Sequence, residues 1–204
     1  ARTTFAKNIK TVLEKNKLDG IDLDFEWAEN EKEYKDYSLA ILKMREVLGD
    51  KYLFSVSLHP VCYKISKEAI EAVDFISLQC YGPSPVRFPI EKYCSDIQMV
   101  LEYGIPKEKL VAGVPFYGVT KDNSKKTEAY FNFVQNGLVT SPAQNEVIYQ
   151  GDTYVFDGQD NIRIKTRYAK EQKLKGMMSW DLATDLPLSD SRSLLKTMTE
   201  ELRE

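Results

Sequence analysis

LDGIDLDFEW, residues 18–27, sets four carboxylates, Asp19, Asp22, Asp24 and Glu26, into a run otherwise built from Leu, Ile, Phe, Gly and Trp. In a strand, alternate side chains share a face and each residue rises about 3.3 Å. Asp22, Asp24 and Glu26 therefore form a row on one face. Ile21, Leu23 and Phe25 point the other way, toward covering helices. A row of like charges repels itself, and each neighbour favours the protonated form of the next. Parallel sheets place ligand sites at the C-terminal ends of their strands. Glu26 stands at that end and Asp22 is expected deepest, so the pattern reads as a graded acid site in which Asp22 and Asp24 share a proton and Asp24 faces Glu26. Two other readings fit the same residues: a row of solvated or arginine-paired acids on an exposed face, and a hard-cation site of carboxylate oxygens.

Working outward, residues 3–16 place Phe5, Ile9, Val12 and Leu13 at helical spacing, with Thr3 or Thr4 as cap. Downstream, Asn30 and Glu33 suit a helix start, Tyr34, Tyr37, Ile41, Met44 and Leu48 supply its apolar stripe, and Gly49 stops it. Further strands are expected at 52–58, 74–81, 109–118 and 176–182. Helices are expected at 66–73, 89–104, 125–137, 162–176 and from 189 to the end. Residues 146–157 read as a small hairpin insertion turning at Gly151-Asp152. Alternating strand and helix units with apolar strands predict an α/β fold, a parallel sheet covered by helices. That layout suits an open doubly wound sheet or part of a (β/α)8 TIM barrel. The whole of 1–204 reads as a single domain.

Composition narrows the function classes. The 204 residues are 43% hydrophobic and 29% charged, with a net charge of −3. No basic block interleaved with aromatics marks a nucleic-acid surface, and no apolar run approaches the roughly 20 residues of a membrane span. No G-x-G-x-x-G follows a strand, which weighs against a dinucleotide cofactor. Three cysteines without C-x-x-C, and one histidine, make a metal site improbable. No cofactor and no metal are expected. His59, a lone histidine before Pro60, reads as structural and is left outside the catalytic set.

DGIDLDFE, residues 19–26, resembles at every defined position the D-G-x-D-x-D-x-E signature of glycoside hydrolase family 18, the chitinases and their relatives. DFISLQCYG (74–82), LVAGVPFYG (110–118) and GMMSWDL (176–182) resemble the family's sixth, seventh and eighth barrel strands, in order. The signature lies on the family's fourth strand, so the resemblance implies about five βα units of a TIM barrel, its C-terminal portion, with three N-terminal units absent. An open sheet edge left in that way would promote self-association.

The resemblance implies a secreted hydrolase of chitin degradation, extracellular, cell-surface or periplasmic, that cleaves β-1,4-linked N-acetylglucosamine polymers with retention. The family is a substrate-assisted exception among glycosidases. Glu26 would be general acid and then base. Asp24 would orient the 2-acetamido group, Asp22 would hold Asp24, and Tyr81 would bond the acetamide oxygen. Trp180 would floor the sugar site, with cis peptides at Trp180–Asp181 and Glu26–Trp27. Gln79 shares strand parity with Tyr81 and should face the same cavity, where the family often has methionine. Gly82 stands where many members carry aspartate. Tyr117 is expected along the cleft. Two alternatives share these residues: an endo-β-N-acetylglucosaminidase acting on N-glycans or peptidoglycan, and a non-catalytic sugar-binding relative.

Overall fold

Residues of alternating character dictate the main sheet. In β2 (Leu53–Leu58), Phe54, Val56 and Leu58 are buried on one face while Ser55 and Ser57 occupy the other. In β3 (Phe75–Leu78), Ile76 and Leu78 alternate with Ser77 in the same way. The computed structural model describes residues 1–203. It places β1 (Gly20–Asp24), β2, β3, β4 (Leu110–Pro115) and β9 (Gly176–Trp180) in one parallel sheet, in that order. All five carboxyl ends reach the same rim, with Asp24 beside Ser57, Leu58 beside Leu78 and Pro115 beside Trp180.

Helices cover the apolar face. Ile41, Met44 and Leu48 of α2 (Glu31–Leu48), Ile70 of α3 (Lys67–Ala72) and Ile97 and Val100 of α4 (Ile90–Tyr103) are buried with the strand residues. Each such side chain stabilises by about 1.5–3 kcal/mol on transfer from water. Asn30 caps α2 by accepting from the Glu33 N–H, and Glu33 in turn accepts from the Glu29 N–H. The stripe and the Gly49 stop of this helix stand as expected. α1 (Arg2–Asn16) differs: it buries Ala6 and Leu13, leaves Phe5 and Val12 exposed, and has no side-chain cap because the helix already includes Thr3 and Thr4.

Between β4 and β9 the chain builds a second layer. The run 109–118, expected as one strand, breaks after Pro115. The Phe116 N–H donates to the Trp180 carbonyl, and β5 (Tyr117–Thr120) leaves in a new direction. The run 125–137, expected as a helix, begins as β6 (Thr127–Ala129), because it pairs with β5, and only then becomes α5 (Tyr130–Gln135). β7 (Glu146–Tyr149) and β8 (Asp152–Val155) form the expected hairpin, but they join β5 and β6 in a four-stranded antiparallel sheet ordered β6-β5-β8-β7. Its turn residues are Gln150 and Gly151, both at positive φ (50° and 89°), rather than Gly151-Asp152. α6 (Gln159–Glu171) returns to β9, and α7 (Leu194–Arg203) closes the described chain. The main sheet is open among the described residues, with β1 and β9 at its edges.

Candidate active site

The sheet's polar face supplies the site. Beyond Asp24, Phe25 turns to the helix side and packs on Tyr37, with ring centroids 5.3 Å apart. Glu26 returns to the rim. A cavity of about 540 Å³ opens there, and its lining brings together Asp24, Glu26, Gln79, Tyr81, Tyr117 and Trp180. Tyr81 lies 55 residues after Glu26 and Trp180 another 99 further on, so the sheet register does the gathering.

Asp22 departs from expectation. It is exposed rather than deeply buried, because β1 is an edge strand flanked only by β2 among the described residues. It lies outside the cavity lining, and its two oxygens accept from Ser55 Oγ (2.6 Å) and Ser57 Oγ (2.8 Å). Its influence on Asp24 is that of a nearby charge. Gln79 Nε2 donates to both oxygens of Asp24, at 3.3 and 3.4 Å. Water reaches Asp24 from the open cavity. Even so, partial burial, then the charges of Glu26 and Asp22, push its carboxyl above the usual range against the pull of Gln79.

Tyr81 is buried, with its hydroxyl 3.5 Å from Met178 Sδ and its ring edge-on to Tyr117 at 6.4 Å. Burial raises both phenols, so each is a neutral donor. Gly113 makes room for this arrangement: a Cβ there would lie 2.9 Å from the Tyr81 ring. Trp180 is 55% exposed and presents its indole to the opening. The peptides Glu26–Trp27 and Trp180–Asp181 are both cis. A second hollow of about 350 Å³ adjoins on the Trp180 side and takes in Glu128, Asp181 and Thr184, so the opening is a cleft.

The opposite wall was not foreseen. Trp27, His59 and Val61, which follow β1 and β2, line it, and Gly82 and Pro83 complete the lining, Pro83 also bordering the hollow beside Trp180. The strand periodicity could not place loop residues; the one usable signal was an aromatic immediately after Glu26. His59, set aside as structural, faces this cavity. Together the groups offer an acid at the rim, a second carboxyl held by an amide, a phenol at the floor and an open indole.

The model of the family "Glycosyl hydrolases family 18" matches residues 1–185. The chain belongs to that family. "Probable chitinase 2" of Drosophila melanogaster is 23% identical over 248 aligned residues, covering 90% of this chain and 51% of that protein. "Chitinase A1" of Niallia circulans is 23% identical over 259, covering 90% and 37%. The chain thus spans about half, or less, of the length of these curated relatives. Among solved structures, the GH18 chitinase ChiB from the chitin utilization locus of Flavobacterium johnsoniae superposes with a TM-score of 0.79 at 28% identity, covering 97% of this chain and 64% of that one. A chitinase-like agglutinin of Robinia pseudoacacia shares the fold at 18% identity with a TM-score of 0.81, covering 98% and 72%. As a family 18 chain it carries an α/β fold with a parallel sheet. Among its described residues no helix is long and apolar enough to cross a membrane.

Proposed function

We propose that this chain is the catalytic portion of a secreted or cell-surface chitinase-type glycosidase that cleaves β-1,4-linked N-acetylglucosamine polymers with retention. The observation that carries the reading is the single cavity lined by Glu26, Asp24, Tyr81 and Trp180. The five parallel strands are read as five of the eight strands of a TIM barrel, with residues 1–204 in one catalytic domain.

The sugar stacks on the exposed indole of Trp180, and its 2-acetamido group reaches inward. The Tyr81 hydroxyl, whose thioether partner is a weak acceptor, turns to the acetamide oxygen. Asp24 accepts from the acetamide N–H, steadied by Gln79. The acetamide oxygen then attacks C1 as the bond to the leaving oxygen breaks, and Glu26 gives that oxygen its proton. Water opens the resulting oxazolinium ring, and Glu26 takes the water's proton back. Asp24 offsets the positive charge of the intermediate. Asp22, paired with Ser55 and Ser57, contributes charge and holds the β1–β2 edge. Tyr117 closes the cleft beside Tyr81. The chemistry draws on no cofactor.

Glu26→Gln is expected to lower hydrolysis of N-acetylglucosamine pentamer by about 10²–10⁴-fold while binding persists. The same assay with high-mannose glycoprotein and peptidoglycan separates the chitinase reading from that of an endo-β-N-acetylglucosaminidase. Oligomer binding without cleavage by the wild type would favour the sugar-binding reading, to which the shared fold of the agglutinin lends weight.

A further inference from the structure

His59 ties three strand ends together. It follows β2, and its ring nitrogens have distinct partners. Nε2 lies 3.0 Å from the Tyr81 carbonyl oxygen, just beyond β3. A carbonyl only accepts, so Nε2 carries the proton. Nδ1 accepts from the Val61 N–H at 3.3 Å, so it carries none. These contacts specify the neutral Nε2–H tautomer. The ring face meets Trp27, beyond β1, with centroids 5.2 Å apart and planes at 50°. Trp27 directly follows Glu26, so whatever fixes the indole fixes the chain that carries the acid.

Trp27, His59 and Val61, which follow β1 and β2, line the cavity at the end of the sheet away from β9 and Trp180. On the hydrolase reading above, on which this inference rests, the attacked sugar sits over Trp180. The Trp27 wall then faces the departing sugar. We propose that His59 is a positioning residue for this leaving-group wall: its neutral ring, braced between Tyr81 O and Val61 N, holds the Trp27 indole in place, and protonation at Nδ1 releases it. Protonation would set an N–H against the Val61 N–H and break the brace.

The charges around His59 come from several elements. Arg87 and Lys92 disfavour a second proton, and Asp96, bonded to both, favours it. Asp24, at the end of β1, and Glu26, just beyond it, look into the same cavity. Burial leads, with Arg87 next, and His59 titrates below its ordinary 6.5. The brace therefore holds at neutral pH and opens as pH falls through that lowered value.

The chain has two tryptophans, Trp27 and Trp180, so Trp180→Phe isolates the fluorescence of Trp27. An imidazolium quenches an adjacent indole, so a pH titration of this variant should show quenching with a midpoint below 6.5. Adding His59→Gln should abolish it. Kinetics give the second arm, with folding checked by thermal melts. His59→Phe keeps a ring but no donor and should raise KM for the pentamer about three- to tenfold, with a smaller change in kcat. His59→Gln, which can still reach Tyr81 O, should recover most of the loss and flatten the rise of KM at low pH. Quenching that survives in His59→Gln, or a folded His59→Phe with wild-type KM, would overturn the proposal. Equal impairment in both variants would reduce His59 to packing and overturn it too. A wild type inactive on every oligomer, with the His59-dependent quenching still present in Trp180→Phe, would sink the hydrolase reading and leave the brace standing.

Discussion

Asp24 is asked to be charged where charge is disfavoured. Its folded carboxyl is held above the 3.8 of a free aspartate by partial burial and by Glu26 and Asp22. The folded state therefore binds its proton more tightly than the unfolded chain does. The contribution to stability is full below pH 3.8 and is lost as pH rises through the raised value. Asp24→Asn should thus stabilise the fold near pH 7 by no more than about 0.5 kcal/mol, since water screens an exposed group. It should also lower turnover about 10²–10³-fold. Melts of both proteins at pH 3.5 and 7 check this: the gap between them should open only at the higher pH, and a less stable Asn variant at pH 7 would refute it. Asp24 and Glu26 were legible because they neighbour one another on one strand face, and Gln79 and Tyr81 followed from strand parity. His59, Val61 and Pro83 were not, because loop residues obey no period. Asp22 was misplaced because alternation assigns a face and says nothing of whether the strand is central or at an edge.

Among the elements, α6 is attached by an interaction that no periodicity announces. Lys165, 1% exposed, lies 2.5 Å from Asp157 Oδ2, with Asn161 Nδ2 donating to Oδ1 and the rings of Phe88 and Tyr93 within 6 Å of the ammonium. Burial pushes the Asp157 carboxyl up even beside that ammonium. Lys165→Met would leave the acid without its counter-charge. A loss of about 3–5 kcal/mol is expected, read from urea unfolding, and most of it should return on adding Asp157→Leu. A single variant within 1 kcal/mol of wild type, roughly a surface-substitution effect, would show that the acid simply takes up a proton. The sequence revealed elements whose stripe is local, such as α2 with its Asn30 cap. It concealed β5 and β6, whose strand character comes from pairing across eight or more residues, and Tyr130, Phe133 and Val134 made the whole of 125–137 look helical. Phe5 and Val12 share helical spacing with Ile9 and Leu13, but spacing does not say which part of a stripe meets the core, and theirs faces water.

At the level of the whole molecule, the exposed stripe of α1 and the free edge of β1 belong to the same end of the chain's architecture. Phe5, Val12 and Leu18 are each 45–49% exposed, and an unpaired strand edge invites pairing. The 204-residue chain is therefore expected to associate with a second copy of itself, with Phe5→Lys/Val12→Lys shifting it toward monomer. Light scattering across a concentration series checks this, and a monodisperse wild-type monomer at high concentration would count against it. The opposite edge of the sheet has a different import. β4 and β9 are hydrogen-bonded neighbours, and the whole antiparallel layer, with α5 and α6, is strung between Pro115 and Gly176. Because the two strands run parallel, the layer leaves at the carboxyl end of β4 and returns at the amino end of β9, where Gly176 pairs with Val111, about 13 Å back along the strands. A lobe mounted on such a fixed gap is a cassette. Its outer hairpin, β7 and β8, can be lengthened or shortened without moving the strands that lead to Glu26 and Tyr81. The side of the cleft bordered by Glu128 can then change while Glu26 stays where it is.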